Sequence, residues 1–106
     1  MTTETLIKSF EKADKKQKLI KLQEILKMIQ DKLPMFGDID THVKNAGNTI
    51  EDATLVSYYT IIIRNAEYLE NQKVAQYKDF MDTLRKREQQ EHANDEMDID
   101  NDLTNV

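Results

Sequence analysis

Residues 19–36 read LIKLQEILKMIQDKLPMF, and the pattern of apolar side chains in this segment indicates the fold class. Its apolar residues recur with spacings of 3, 4, 3, 4 and 3, at Leu19, Leu22, Leu26, Ile29, Leu33 and Phe36. Because positions three and four apart share one face of a helix, this spacing predicts a helix with a coiled-coil seam. The intervening residues are mostly charged or amidic, so the apolar stripe is narrow and requires partner helices.

A break in the helix is expected at 34–37. Pro34 disfavours helix at the preceding residue, and Gly37 suits a turn. A second seam then follows, one residue out of phase with the first, at Phe36, Ile39, Val43, Ala46, Ile50 and Ala53. We therefore expect a basic coiled-coil helix over 1–33 and a kinked connector with a short helix, about 37–46, over 34–49.

The only apolar block without polar alternation is residues 55–63, LVSYYTIII. By propensity it is a strand, but no second strand-like run is present to pair with it. We predict a buried helix that continues as an apolar and then polar helix over 50–90. Asn48 or Thr49 is a candidate cap, and Gly47 is a candidate hinge before it.

Composition points to the same fold class. Of 106 residues, 39% are hydrophobic and 33% are charged, with only two glycines and one proline. Sheets need more turn residues than this, so the expected fold is all-α, with long coiled-coil helices in an open bundle.

Charge is unevenly distributed along the chain. Residues 1–33 hold eight lysines against five acidic residues, whereas residues 88–106 hold seven acidic residues and neither Lys nor Arg. A segment with so much charge and so little to bury is typical of disorder. We expect an acidic disordered tail over 91–106.

Candidate chemistry is sparse. The chain has no cysteine, and its two histidines, His42 and His92, lack partners at metal-ligand spacing, so both are expected to be solvated. Asp98, Asp100 and Asp102 imitate the start of a calcium loop, but Leu103 stands where such a loop needs glycine. We predict no enzyme, no metal and no cofactor.

Contact with nucleic acid or a membrane is not favoured. The front lysines lack interleaved aromatic residues and are diluted by Glu11 and Asp14, so a solvated helix face is the preferred interpretation, and contact with nucleic acid or an acidic protein is the second. The first thirty residues lack the apolar core of a signal peptide, and no window approaches the eighteen apolar residues of a membrane span. We expect a soluble intracellular protein.

Several segments resemble, in order, the family of the second Dad-type subunit of the fungal DASH complex. They are residues 19–25, Val43-Lys44 with Gly47 shortly after, the block 55–65 and the acidic end. In the block 55–65, the residues that stand at the positions of the family pattern are Leu55, Tyr59, Ile62, Ile63 and Asn65. Tyr59 stands where the family has a tryptophan.

The resemblance implies a structural function. DASH is a multi-subunit kinetochore assembly that forms rings around spindle microtubules in the nucleus. This chain would then be a non-enzymatic coiled-coil subunit with other helical subunits as partners, and it would reach microtubules only through the assembled complex. The residues expected to face partner helices are Leu19, Leu22, Leu26, Ile29, Leu33, Phe36, Leu55, Tyr59, Ile62 and Ile63.

Two functional hypotheses remain open beside the disfavoured enzyme. One is an obligate subunit of a helical assembly, and the other is a free-standing helical binding or regulatory protein with an acidic tail. Burial separates them: in a subunit we expect Leu22, Ile29, Tyr59 and Ile62 to be half exposed in the isolated chain, whereas a monomer buries them together.

Overall fold

The computed structural model describes residues 2–104, except for the side chains of 32–33 and 91–104. Within this part the chain is all-α and contains no strand. Short 3-10 turns lie at Gln30–Met35 and Gly47–Thr49. The α-helices are α1 (Thr3–Lys12), α2 (Lys15–Met28), α3 (Gly37–Ala46), α4 (Asp52–Asn71) and α5 (Ala75–Thr104).

The single helix predicted near 3–33 is instead two helices and a 3-10 turn. The chain breaks at Ala13 and restarts with Asp14 as the N-cap of α2, where the Asp14 carboxylate accepts the backbone N–H of Gln17 at 2.8 Å. Aspartate is a favoured N-cap because its oxygen satisfies an otherwise unpaired amide. The α2 helix ends at Met28, well before Pro34.

The connector contains the short helix predicted over 37–46, which is α3. Gly47 ends it with φ +52° and ψ −128°. Neither candidate cap performs that role for α4: the Thr49 hydroxyl donates to the carbonyl oxygen of Ala46 at 2.8 Å. The α4 helix begins after Glu51, whose side chain makes no capping hydrogen bond.

The block 55–63 lies within α4 and is helical, as the sequence predicts. The helix expected over 50–90 is nevertheless interrupted by a turn at 72–74, where Lys73 has φ +65°. The turn reverses the chain, with the N–H of Val74 donating to the carbonyl oxygen of Leu69 at 3.1 Å. The backbone of α5 runs to Thr104, past the end expected near Gln90. The acidic disordered tail is predicted over 91–106, where the side chains lie outside the described residues, so it stays a prediction.

The core is built around α4, against which α1, α2 and α5 pack. In this helix Leu55, Tyr59, Ile62 and Ile63 are at most 1% exposed. Each fully buried aliphatic or aromatic side chain of this size contributes about 1.5–3 kcal/mol relative to exposure. One contiguous cluster joins these residues to buried side chains of the other helices, so the chain supplies a core of its own.

Ion pairs and hydrogen bonds tie the outer helices to α4. At the corner between α1 and α2, the Lys18 ammonium donates to the Ala13 carbonyl oxygen at 2.8 Å and to Asp52 at 3.2 Å. The other cross-helix contacts join Thr3 to Glu67, Arg64 to Glu4 at 2.7 Å, and Arg85 to both carboxylate oxygens of Glu70 at 2.7 and 2.8 Å. These contacts fix the helices at both ends of α4.

Candidate partner-binding surfaces

The predicted partner seam lies inside the chain's own bundle. Leu19 is partly buried against the core, and the side chain of Leu33 lies outside the described residues. The remaining seam residues are each at most 3% exposed: Leu22, Leu26, Ile29, Phe36, Leu55, Tyr59, Ile62 and Ile63. The structure therefore brings the apolar faces of α2 and α4 together within one chain.

The structure does not show the half-exposed seam that is expected of a subunit. Leu22, Ile29, Tyr59 and Ile62 are each at most 1% exposed in the isolated chain. Two packings account for this burial: α2 lies against α4, and the break at Ala13 and Asp14 lets α1 fold back onto α4, where Phe10 stacks on Tyr59. The arrangement is the one expected of a free-standing bundle.

An open groove of about 320 Å³ lies between α2 and α3. Leu26 and Val43 form its apolar floor, and both are core residues. The walls are polar and carry Gln23, Lys27 and Gln30 from α2 and the turn after it, and Asp40 and Lys44 from α3. An apolar floor with a polar rim is the usual anatomy of a small binding site.

The rim of this groove has a net positive charge. The Lys44 ammonium pairs with the Asp40 carboxylate one helical turn away, at 2.9 Å. Lys27, an exposed cation on α2, lines the opposite side of the groove. Gln23 and Gln30 add amide groups that both donate and accept hydrogen bonds. The groove thus fits a segment with an apolar side chain for the floor and carboxylates for the rim. Sequence reasoning missed it, because its walls are built from residues on the polar sides of two separate helices.

His42 is exposed but not unpartnered. Its Nδ1 lies 2.6 Å from the Tyr58 hydroxyl, and the two rings meet edge to face with centroids 5.7 Å apart. This pair fastens α3 to α4. Across the described residues, no three His, Asp or Glu side chains are grouped so that they could hold a metal ion.

A second candidate surface is the outward face of α4. Ile61 and Tyr68 are 46% and 62% exposed, and a spacing of seven residues puts them on the same side of the helix. Between them, the Asn65 amide donates to the Ile61 carbonyl oxygen at 2.8 Å. These two side chains form a short apolar stripe among polar neighbours.

The front lysines divide into two groups. Lys18 and Lys21 are held within the bundle, since Lys18 pairs with Asp52 and Lys21 pairs with Glu88 at 3.3 Å. Lys12 and Lys16 are exposed. The solvated lysine face expected from the sequence is therefore confined to the outer lysines.

In the part of the chain that the structure describes, no helix combines the length and apolar character needed to span a membrane. Comparisons with protein-family models, curated proteins and solved structures find no match to this chain.

Proposed function

We propose that the chain is a non-enzymatic, free-standing helical binding module that takes a partner protein into the groove between α2 and α3. The burial of the predicted seam supports this proposal. The apolar faces of α2 and α4 pack against each other in the core, so they are not accessible to a partner protein. A partner must bind to the remaining surface, where the groove provides an apolar floor.

The partner segment is defined by the chemistry of the groove. Leu26 and Val43 call for an apolar anchor. Lys27, beside the paired Lys44 and Asp40, gives the rim one net positive charge that calls for a flanking carboxylate. Central, desolvated anchors carry most of the energy of such contacts, and rim charges mainly set specificity and association rate. We therefore expect an acidic peptide or helix with one or two apolar side chains.

Oligomeric state tests the free-standing character of the module. In analytical ultracentrifugation with far-UV circular dichroism, the purified chain is expected to sediment as a monomer and to unfold in one cooperative transition. Self-association, or unfolding without cooperativity, would contradict a free-standing module and favour an obligate subunit.

Peptide selection tests the groove. A displayed peptide library is expected to yield acidic sequences with apolar anchors, and Lys27→Glu with Lys44→Glu is expected to weaken their binding at least about tenfold, as like charges replace opposite ones. Lys73→Glu with Lys86→Glu makes the same charge reversal outside the lining of the groove and serves as the matched control. If the selected peptides bind the groove variant as tightly as they bind the parent chain, this site is refuted.

A second candidate function is that of an assembly subunit, and the exposed stripe of Ile61 and Tyr68 favours it. In the version implied by the DASH resemblance, helical subunits would form coiled coils with this chain in a kinetochore ring, leaving the acidic tail disordered. Because the seam is occupied, such subunits would cover the α4 stripe. Ile61→Glu with Tyr68→Glu is then expected to abolish incorporation into a co-expressed complex and to leave the helical content unchanged.

A further inference from the structure

The α3 helix, which forms one wall of the groove, contributes little to the core. Of its ten residues, Val43 alone is buried, whereas α2 on the other wall buries four. Ile39 and Ala46 are only partly buried against the core. Few buried contacts are typical of a segment whose local opening costs less free energy than unfolding of the whole chain.

Two buried side chains anchor the segment that contains α3. Phe36, just before the helix, is 3% exposed, and Ile50, just after the 3-10 turn Gly47–Thr49, is 4% exposed. Between these anchors the helix begins without a side-chain capping hydrogen bond. It ends at Gly47, whose φ of +52° is a conformation that other residues rarely adopt. Residues 37–49 therefore form a helix held between two pivots.

A hydrogen bond on the side of α3 away from the groove joins this helix to α4. His42 stands two residues from both Asp40 and Lys44, so it lies about 160° around the helix from each of them. Its Nδ1 is 2.6 Å from the Tyr58 hydroxyl, at an exposed position. When α3 moves away, water can replace this bond, so the bond contributes only a modest net free energy to closure.

The floor of the groove is covered while α3 is in place. Leu26 and Val43 are 2% and 1% exposed, so a partner side chain reaches little of their surface. Because Asp40 and Lys44 pair with each other within α3, this polar wall moves with the helix, while Lys27 stays on α2. Withdrawal of α3 therefore uncovers the floor and separates the two walls.

We propose that α3 is a flap that swings between Phe36 and Ile50 and opens the groove to its partner. The hydrogen bond between His42 and Tyr58 holds the flap closed. This inference rests on the proposed function of the groove. Because the partner binds the open form, its apparent affinity rises with the fraction of chains that are open. The bond between His42 and Tyr58 therefore restrains binding, although it lies outside the groove.

Thiol labelling of the full chain measures the opening. The sequence has no cysteine, so a single introduced thiol reports on its own surroundings. Val43 and Ala66 are both 1% exposed, the first in the flap and the second in α4. At low reagent concentration, the thiol of Val43→Cys is expected to react at least about tenfold faster than that of Ala66→Cys, which is released only when the bundle unfolds.

Substitutions added to these chains identify what holds the flap. With Val43→Cys, Tyr58→Phe is expected to raise the labelling rate about fivefold, since it removes one hydrogen bond. Tyr68→Phe removes an exposed hydroxyl from the same helix and is the matched control, expected to leave the rate unchanged. Ser9→Ala removes a hydrogen bond between α1 and α5. It is expected to speed the labelling of Ala66→Cys but not of Val43→Cys, because the flap opens with that contact intact.

The consequence for the groove is measured with the acidic peptides selected on the parent chain. Tyr58→Phe is expected to tighten their binding about fivefold, whereas a merely structural role of this hydroxyl would weaken binding or leave it unchanged. Equal labelling rates at positions 43 and 66, or peptide binding that Tyr58→Phe does not tighten, would overturn the flap. The flap and the groove fail separately, because labelling needs no peptide and the Lys27→Glu with Lys44→Glu variant tests the groove without reference to the flap.

Discussion

The rings of Phe10 and Tyr59 lie stacked, with centroids 4.1 Å apart and planes inclined by 12°. Both side chains are at most 1% exposed. This contact holds α1 against the middle of α4, at the place where a straight first helix would have left the core open.

Truncation of either ring is expected to lower the free energy of unfolding by about 3–5 kcal/mol, because each leaves a large cavity. In a urea double-mutant cycle of Phe10→Ala and Tyr59→Ala, the stacked pair is expected to show a coupling of about 0.5–1.5 kcal/mol. Tyr68→Ala, on the exposed stripe, is the control and is expected to change stability by less than about 0.5 kcal/mol. Strict additivity of the two core truncations would contradict the stacked geometry.

The two glycines are expected to respond to alanine with opposite signs. Gly47 has φ +52°, a backbone conformation that side chains disfavour, so Gly47→Ala is expected to cost about 1–3 kcal/mol. A Cβ at Gly37 meets open space within α3, so Gly37→Ala is expected to stabilise by about 0.4–1 kcal/mol. Denaturant midpoints measure both, and a neutral Gly47→Ala would show that the turn adjusts freely.

Glu88 is expected to matter more to stability than its neighbour Gln89. Glu88→Ala removes the buried carboxylate that accepts hydrogen bonds from the Lys21 ammonium and the Ser9 hydroxyl, and the loss of these contacts to a charged group costs about 1–3 kcal/mol. Gln89 is exposed on the same helix, so Gln89→Ala is expected to stay within about 0.5 kcal/mol. Thermal unfolding of both variants at one ionic strength makes the comparison, and equal losses would mean that the buried pair adds nothing.

The Asp82 carboxyl is expected to titrate below its usual value of 3.8, since a hydrogen bond from Lys78 lowers its pKa. Because the folded pKa lies below the unfolded one, the contact adds stability at pH values above 3.8, and that stability is lost as the pH falls through the folded pKa. Carboxyl NMR titration measures this pKa directly. Lys78→Met is expected to return it toward 3.8, whereas the remote Lys44→Met is not; an unmoved pKa in the Lys78 variant would exclude this cause.

The sequence predicts which faces are buried better than it predicts what buries them. Spacings of three and four residues mark Leu22, Ile29 and Ile62 as seam positions, and all three are buried. Periodicity is a property of one helix and carries no information on whether the covering helix belongs to the same chain. The intramolecular closure follows from the fold-back of α1, which a one-helix interpretation of 3–33 hides.

The sequence did not predict the breaks at 13–14 and 72–74, and only the first of them carries a recognisable sequence signal. Ala13 and Asp14 offer a recognisable signal, because aspartate is a good N-cap. The turn before α5 offers none: Lys73 takes a left-handed conformation without a glycine or proline nearby. The groove between α2 and α3 was beyond sequence reasoning for a third reason, since it exists only through the approach of two helices joined by a 3-10 turn.

The stacking of Phe10 on Tyr59 also sets an order of events during synthesis. Roughly fifty residues separate the two rings, and at about 5–20 residues per second the ribosome delivers α1 seconds before the helix that covers it. In that interval Leu6, Ile7 and Phe10 have no native partner on α4. The α4 and α5 helices, adjacent in sequence, pair by closing only a short turn. Of the described helices, α1 is thus synthesised before the helix that covers it, and a nascent chain interrupted before α4 exposes the apolar face of α1 to chaperones.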